Sequence, residues 1–214
     1  EGLPDYTASY EAGMDKFVQF LGWCDEFAIP HVTCWLLSKE NLERPSAELE
    51  PYFDVLVDLF DRLPDEVPEG TGFTVMGSLD LLPDRLRSAA GRLADSCNGG
   101  DRHISIALAY GGRQEIVDAV RDLVGKLAAE GIPAPELAGA IDGDAIASHL
   151  YTAGMPDPDL VIRTSGESRM SGFLLWQAAY AEYSFVDVHW PAFRRVDFLR
   201  ALRDFTRRER RFGK

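Results

Sequence analysis

The stretch DLVIRTSGESRMSGFLLWQAAYAEYSFVDVHW, Asp159 to Trp190, decides how this chain is read. Leu160 to Ile162 is a short apolar run of strand type, and the polar loop Arg163 to Ser171 follows it directly. In α/β proteins ligands gather at the carboxyl ends of strands, which is where that loop falls. Arg163 and Arg169 can each give forked, charge-assisted hydrogen bonds to phosphate oxygens, Gly166 lets backbone come close, and Ser171 adds a hydroxyl. Such contacts contribute about 1.5–3 kcal/mol apiece, enough in combination to fix a diphosphate. The formal net charge of −13 does not oppose this, because the geometry is local. Phe173 to Tyr180 reads as the buried start of a helix, followed by Glu182 and the strand-like Tyr183 to Val188. A cationic loop beside an apolar run suits an anionic headgroup with an apolar tail. A carboxylate so close to a diphosphate would repel it unless a divalent cation lay between them, so Mg²⁺ is implied. On these residues alone, a solvated network of Arg and Glu explains the loop equally well.

The ordered string shifts that balance. Arg163 to Glu182, RTSGESRMSGFLLWQAAYAE, resembles the signature RTGGExRxSxFLLWQxAYAE of the cis-prenyltransferases, the undecaprenyl diphosphate synthase family. Ser38 to Pro45, SKENLERP, is similar to that family's FSxENWxRP, and Tyr110 to Val117, YGGRQEIV, to its YGGRxEIV. The ending Arg208 to Gly213 resembles its RERRFG. The resemblance implies a parallel sheet flanked by helices and a homodimer whose tail, with Arg211 and Gly213, reaches the active site of the other subunit. It further implies prenyl diphosphate substrates, with Arg163, Arg169 and Ser171 on the diphosphate of the attacking one and Glu182 on Mg²⁺. Ser38 and Asn41 would steer proton loss, and Arg44 would steady the leaving diphosphate. Read without the family, Ser38 and Asn41 are a helix cap. Glu167 reads as a salt-bridge partner that holds the two arginines apart.

The rest of the chain agrees on architecture. Tyr10 to Phe27, Leu49 to Leu63, Pro83 to Ala94, Gln114 to Glu130 and Asp197 to Arg208 carry helical periodicity. Val32 to Leu37, Phe73 to Met76 and Ile104 to Ala109 are strand-like, and Pro133 to Gly154 is loop and short helix. Strand alternating with helix predicts an α/β fold, a single domain over 1–214 with a mostly parallel central sheet covered by helices. Cys24, Cys34 and Cys97 form no CxxC pair and read as buried small side chains. The acidic balance disfavours nucleic acid as a partner. No transmembrane run or signal peptide is visible, so a cytoplasmic location is expected.

Two departures from the family pattern carry the finer expectations. The family's opening strand, ending in a motif like MDGNxRW that binds metal and the allylic diphosphate, has no counterpart here and is expected upstream of Glu1. Tyr6 to Gly13 also lacks the arginine and histidine of the family's RxxGHxxG. YEAGMDKFVQFLGW, Tyr10 to Trp23, instead resembles YAAMTDKLVEFMGW of lavandulyl-type relatives, which join two allylic units head to middle. The favoured expectation is therefore irregular coupling of dimethylallyl diphosphate onto itself or geranyl diphosphate. Regular cis elongation with isopentenyl diphosphate is the enzyme alternative, supported by the regular LLWQAAYAE, and a non-catalytic partner subunit is the third reading. Bulky Leu36, where an alanine is usual, and Trp35 beside it predict a short tail tunnel and C10 to C15 products; as core-facing strand residues they would do no more than pack.

Overall fold

The computed structural model describes residues 6–96 and 100–207, so the expectations for Cys97, Arg211 and Gly213 lie outside the described residues. Three short strands, β1 (His31–Trp35), β2 (Gly72–Met76) and β3 (His103–Ala107), form a parallel sheet in the order β1-β3-β2. Their β-branched and aromatic residues suit a sheet covered on both faces. Helices α1 (Tyr6–Glu26), α2 (Ser46–Glu66) and α3 (Asp84–Asp95) supply one cover. Phe17, Leu56, Leu59, Phe60, Leu86 and Leu93 bury their apolar stripes against Ile104 and Ile106 of β3 in a single core. Each such side chain is worth about 1.5–3 kcal/mol of burial.

The second half of the chain runs through α4 (Gly112–Ala129), α5 (Ala134–Ala140), α6 (Gly143–Ala147), β4 (Leu160–Arg163), β5 (Glu182–Phe185) and α7 (Arg195–Arg207). β4 and β5 pair in parallel as a separate two-stranded sheet. The architecture is the expected single-domain α/β arrangement, with its parallel strands in two groups among the described residues. A core of Trp23, Cys24, Phe193 and Phe198, with Ile162 packed against it, ties α1, β4 and α7 together.

Phe173 to Tyr180 is buried at Leu174, Gln177 and Ala178, yet it does not start a helix. Ser171, Gly172 and Leu174 have φ of +50°, +90° and +45°. Three left-handed residues in four positions break the i→i−4 ladder, and the segment folds as successive turns.

Between the two strand groups lies a cavity of about 760 Å³, lined continuously by His31 to Leu36 on one side and Leu160 to Ser165 on the other. Hydrogen bonds from His103 N to Pro30 O and from Leu36 N to Ala107 O show that even-numbered residues of β1 turn their backbone toward β3. His31, Thr33 and Trp35 therefore direct theirs to the other edge. Bonds from Glu182 N to Asp159 O and from Val186 N to Arg163 O turn the odd-numbered residues of β4 toward β5, so Leu160 and Ile162 present their backbone away from it. Neither of those edges pairs with a strand among the described residues.

Candidate active site

Parallel strands bring their carboxyl-terminal loops to one end, and backbone hydrogen bonds lock three of those loops together here. Ser38, just beyond β1, bridges to Tyr110, just beyond β3; Lys39 N donates to Tyr110 O at 3.0 Å and Tyr110 N to Leu37 O at 3.1 Å. Gly112 N, at the start of α4, donates to Gly172 O of the Arg163 loop at 2.9 Å. A Cβ on Gly112 would lie 2.5 Å from that oxygen, so the approach requires glycine.

The loop after β4 gathers the three expected diphosphate contacts. Arg163 Nη1 donates to Ser171 Oγ at 2.8 Å and to the carbonyl of Arg169. Arg163 Nη1 thus ties the backbone of Arg169 and the hydroxyl of Ser171 to its own side of the loop. Arg169 pairs with Glu167, with the Arg169 side chain 66% exposed and available to a ligand. Gly166 holds φ +70° where a Cβ would strike Asp187 Oδ1 at 2.4 Å, which explains the glycine in this tight return.

On the β1 side, Ser38 Oγ accepts the Asn41 N–H at 3.1 Å at the entry to the short 3₁₀ turn Glu40–Glu43, whose N-cap position is Lys39. Asn41 and Arg44 line a second pocket of about 240 Å³. Arg44 Nη1 is paired at 2.8 Å with Glu48 of α2. Trp35 stacks on Phe173 with ring centroids 5.3 Å apart and lies edge-on to Tyr110 at 6.2 Å, joining β1 to the turn that follows the arginine loop. Its indole N–H is buried without a hydrogen-bond partner. Leu36 borders both pockets.

Glu182 stands apart from this group. In the parallel register Glu182 faces Leu160 while Arg163 faces Phe185, three positions along the strands. That puts roughly 10 Å of strand between Glu182 and the loop. No group of three or more His, Cys, Asp or Glu gathers at a point among the described residues.

A hub that the sequence reading did not single out supports the loop. Glu115, 1% exposed on the buried side of α4, accepts hydrogen bonds from the Tyr110 hydroxyl, from Tyr151 N at 3.0 Å and from Gln177 Nε2 at 2.9 Å. Gln177 lies in the turn segment and also reaches Thr152 Oγ1 at 2.9 Å. Burial first, and then the bond to Glu115, push the Tyr110 phenol well above its ordinary range, so it stays a donor. Nearby, Asp118 is held below the usual carboxylate range: burial opposes its charge, and the Tyr151 and Gln114 hydrogen bonds outweigh it.

The family described as putative undecaprenyl diphosphate synthase matches residues 2–213 of this chain. The chain belongs to that family of prenyltransferases. An isoprenyl transferase 1 from Corynebacterium diphtheriae is 51% identical over the whole of this chain and 80% of its own length. A (2Z,6E)-farnesyl diphosphate synthase from Mycolicibacterium smegmatis is 49% identical, again over the whole chain and 81% of its own. Among solved structures, lavandulyl diphosphate synthase from Lavandula x intermedia, in complex with dimethylallyl diphosphate, superposes with a TM-score of 0.87. It covers 97% of this chain and 89% of its own at 30% identity.

These comparisons overturn the expectation of head-to-middle coupling. The relative named for a Z-farnesyl product is 49% identical over the aligned residues, the lavandulyl enzyme 30%. The structure gives the physical reason the sequence misled. In the string Tyr10 to Trp23, Gly13, Met14, Phe17, Leu21 and Trp23 are buried in α1, and Gly13 O accepts the Trp190 indole N–H at 2.8 Å. Much of the lavandulyl-like pattern therefore serves the packing of α1. No described helix is long and apolar enough to cross a membrane.

Proposed function

We propose that this prenyltransferase performs regular cis elongation, condensing an allylic diphosphate with isopentenyl diphosphate to a short product of the Z-farnesyl class. One observation carries the reading beside the names of the relatives. Arg163, Arg169 and Ser171 converge on one loop, which is locked through Gly112 and Gly172 to the strand ends that carry Trp35, Leu36 and Ser38. An anionic headgroup and an apolar tail both find matching surfaces there.

In this reaction the allylic C–O bond breaks and diphosphate leaves with the electron pair. The isopentenyl double bond attacks the allylic carbon, and a proton is then lost to set the new Z double bond. Arg163, Arg169 and Ser171 hold the isopentenyl diphosphate, each charge-assisted contact being worth about 1.5–3 kcal/mol. Arg44, at the mouth of the smaller pocket, steadies the leaving diphosphate. Ser38 and Asn41, joined by the bond from Asn41 N to Ser38 Oγ, steer proton loss. Trp35 and Leu36 bound the space for the tail and limit its length. Mg²⁺, with Glu182 as candidate ligand, a homodimer and a cytoplasmic location belong to the same proposal on the family's account alone.

The proposal also takes residues 1–214 as one domain whose sheet is completed by a further strand carrying the opening metal and diphosphate motif. Two facing strand edges support this. His31, Thr33 and Trp35 on β1 and Leu160 and Ile162 on β4 line the cavity and turn their peptide groups to edges that have no strand partner among the described residues. A prenyl tail offers those groups nothing, whereas one strand between them would pair with both edges and could give the Trp35 indole N–H an acceptor.

The reaction is tested by following diphosphate release with a coupled phosphate assay. Release should require both an allylic diphosphate and isopentenyl diphosphate. Equal release from dimethylallyl diphosphate alone would contradict the proposal.

A further inference from the structure

The two cavities are divided by a thin wall. Met14, Leu36, Tyr52 and Trp190 line both the pocket of about 240 Å³, with Asn41 and Arg44 at its polar side, and the cavity of about 760 Å³ assigned above to a further strand, so they close the pocket's apolar end. Any tail whose diphosphate lies at Arg44 meets that wall. Trp190 is fixed in it by its indole N–H on Gly13 O and by stacking on Phe193 with centroids 5.7 Å apart. Tyr52, from α2, is fixed differently. Its hydroxyl donates to Leu36 O at 2.5 Å, tying one wall residue to the backbone of another. Its ring packs on Tyr10 with centroids 4.6 Å apart, and the Tyr10 hydroxyl donates at 3.3 Å to the same Glu48 oxygen that Arg44 holds. A continuous chain of contacts therefore runs from Arg44 at the mouth through Glu48 and Tyr10 to Tyr52 and Leu36 at the inner end. Burial above all, and then the nearby Tyr10, push the Tyr52 phenol well above its ordinary range, so it remains a neutral donor at any working pH.

From this we infer that Tyr52 is a specificity-determining residue: its ring closes the inner end of the tail pocket and sets product length together with Leu36. The inference rests on the proposed elongation reaction and names a residue for chain length on a different element from the strand that carries Leu36. The ring supplies the closure. The hydroxyl keeps the ring in place, but a phenylalanine held by Tyr10 and α2 packing still fills the same space.

The experiment compares the parent protein with Tyr52→Phe, Tyr52→Leu and Tyr52→Ala in the same assay, with geranyl diphosphate, isopentenyl diphosphate and Mg²⁺, and reads alcohols by mass spectrometry after dephosphorylation. Tyr52→Leu and Tyr52→Ala should move the major product by at least one C5 unit, to C20 or beyond, while Tyr52→Phe keeps the parent's length. A second readout needs no turnover: affinity for farnesyl thiolodiphosphate, measured by calorimetry, should rise about tenfold in Tyr52→Leu, which removes less of the side chain if Tyr52→Ala folds poorly. An unchanged product and unchanged affinity in Tyr52→Leu overturn the inference. So does a Tyr52→Phe product as long as that of Tyr52→Ala, which would place control in the hydrogen bond instead. A parent protein that makes no Z product from isopentenyl diphosphate would refute the elongation reading itself, and the affinity measurement would still decide the role of Tyr52.

Discussion

Replacing Glu115 by alanine should destabilise this protein by about 3–5 kcal/mol and damage the diphosphate loop before it damages anything else. Three donors point at the carboxylate: the Tyr110 hydroxyl at Oε2, and Tyr151 N and Gln177 Nε2 at Oε1. In Glu115→Ala the first two lose this acceptor, while Gln177 keeps Thr152 Oγ1. Two buried donors left unsatisfied cost about 1–3 kcal/mol each, and the vacated side-chain space adds to that. Glu115→Gln is the informative control, because its carbonyl can stay at the Oε1 position and keep two bonds while the Tyr110 hydroxyl turns to accept from the new amide. Its cost should be about 1 kcal/mol. Urea titration of both variants supplies the energies, and steady-state kinetics supply the site effect. In Glu115→Gln the KM for isopentenyl diphosphate should stay near the parent's, whereas any active Glu115→Ala should show a KM raised more than kcat is lowered. The reasoning fails if Glu115→Ala unfolds within 1 kcal/mol of the parent, or if the two variants are indistinguishable.

Other expectations can be checked with the same protein. Arg169→Ala should raise the KM for isopentenyl diphosphate by about tenfold, the low end of a charge-assisted bond for a side chain so exposed; unchanged kinetics would remove it from the diphosphate contacts. Leu36→Ala should lengthen the products measured by mass spectrometry, and an unaltered distribution would leave Leu36 as a packing residue only. Asp197 is held below the usual carboxylate range chiefly by its hydrogen bond from Arg194, with Arg200 adding to it. Its folded value is depressed, so its contribution to stability is full above about pH 4, the unfolded value, and is lost as pH falls through the folded one. The thermal midpoint of Asp197→Asn should therefore trail the parent most at neutral pH and converge with it in acid; a gap that does not depend on pH would refute the assignment.

What the sequence disclosed depended on range. Strands β1 to β3 were legible because Val32, Phe73 and Ile104 sit in short runs bounded by polar turns, and α1 and α7 because their apolar residues recur at helical spacing. The arginine loop was legible because its residues act within nine positions of one another. The turn series after Ser171 was not, since three left-handed residues leave no mark in an apolar string that reads equally as helix. Glu115 was missed because its partners come from 36 and 62 residues away. A signal did exist: Glu115, Ala119 and Leu123 share the buried stripe of α4, and a carboxylate on such a stripe demands partners. Glu182 illustrates the converse. Sequence proximity places Glu182 eleven residues after Ser171, while the parallel register sets it opposite Leu160, a placement no local pattern discloses.

The most direct test is product identity. The protein should be incubated with Mg²⁺ and dimethylallyl diphosphate alone, and with geranyl diphosphate or dimethylallyl diphosphate plus isopentenyl diphosphate, and the dephosphorylated alcohols identified by mass spectrometry and chromatography against Z and E standards. Linear Z alcohols of C10 to C15 that form only when isopentenyl diphosphate is present are the predicted result. Branched alcohols formed from dimethylallyl diphosphate alone, or a predominance of C50 and longer chains, would contradict the account.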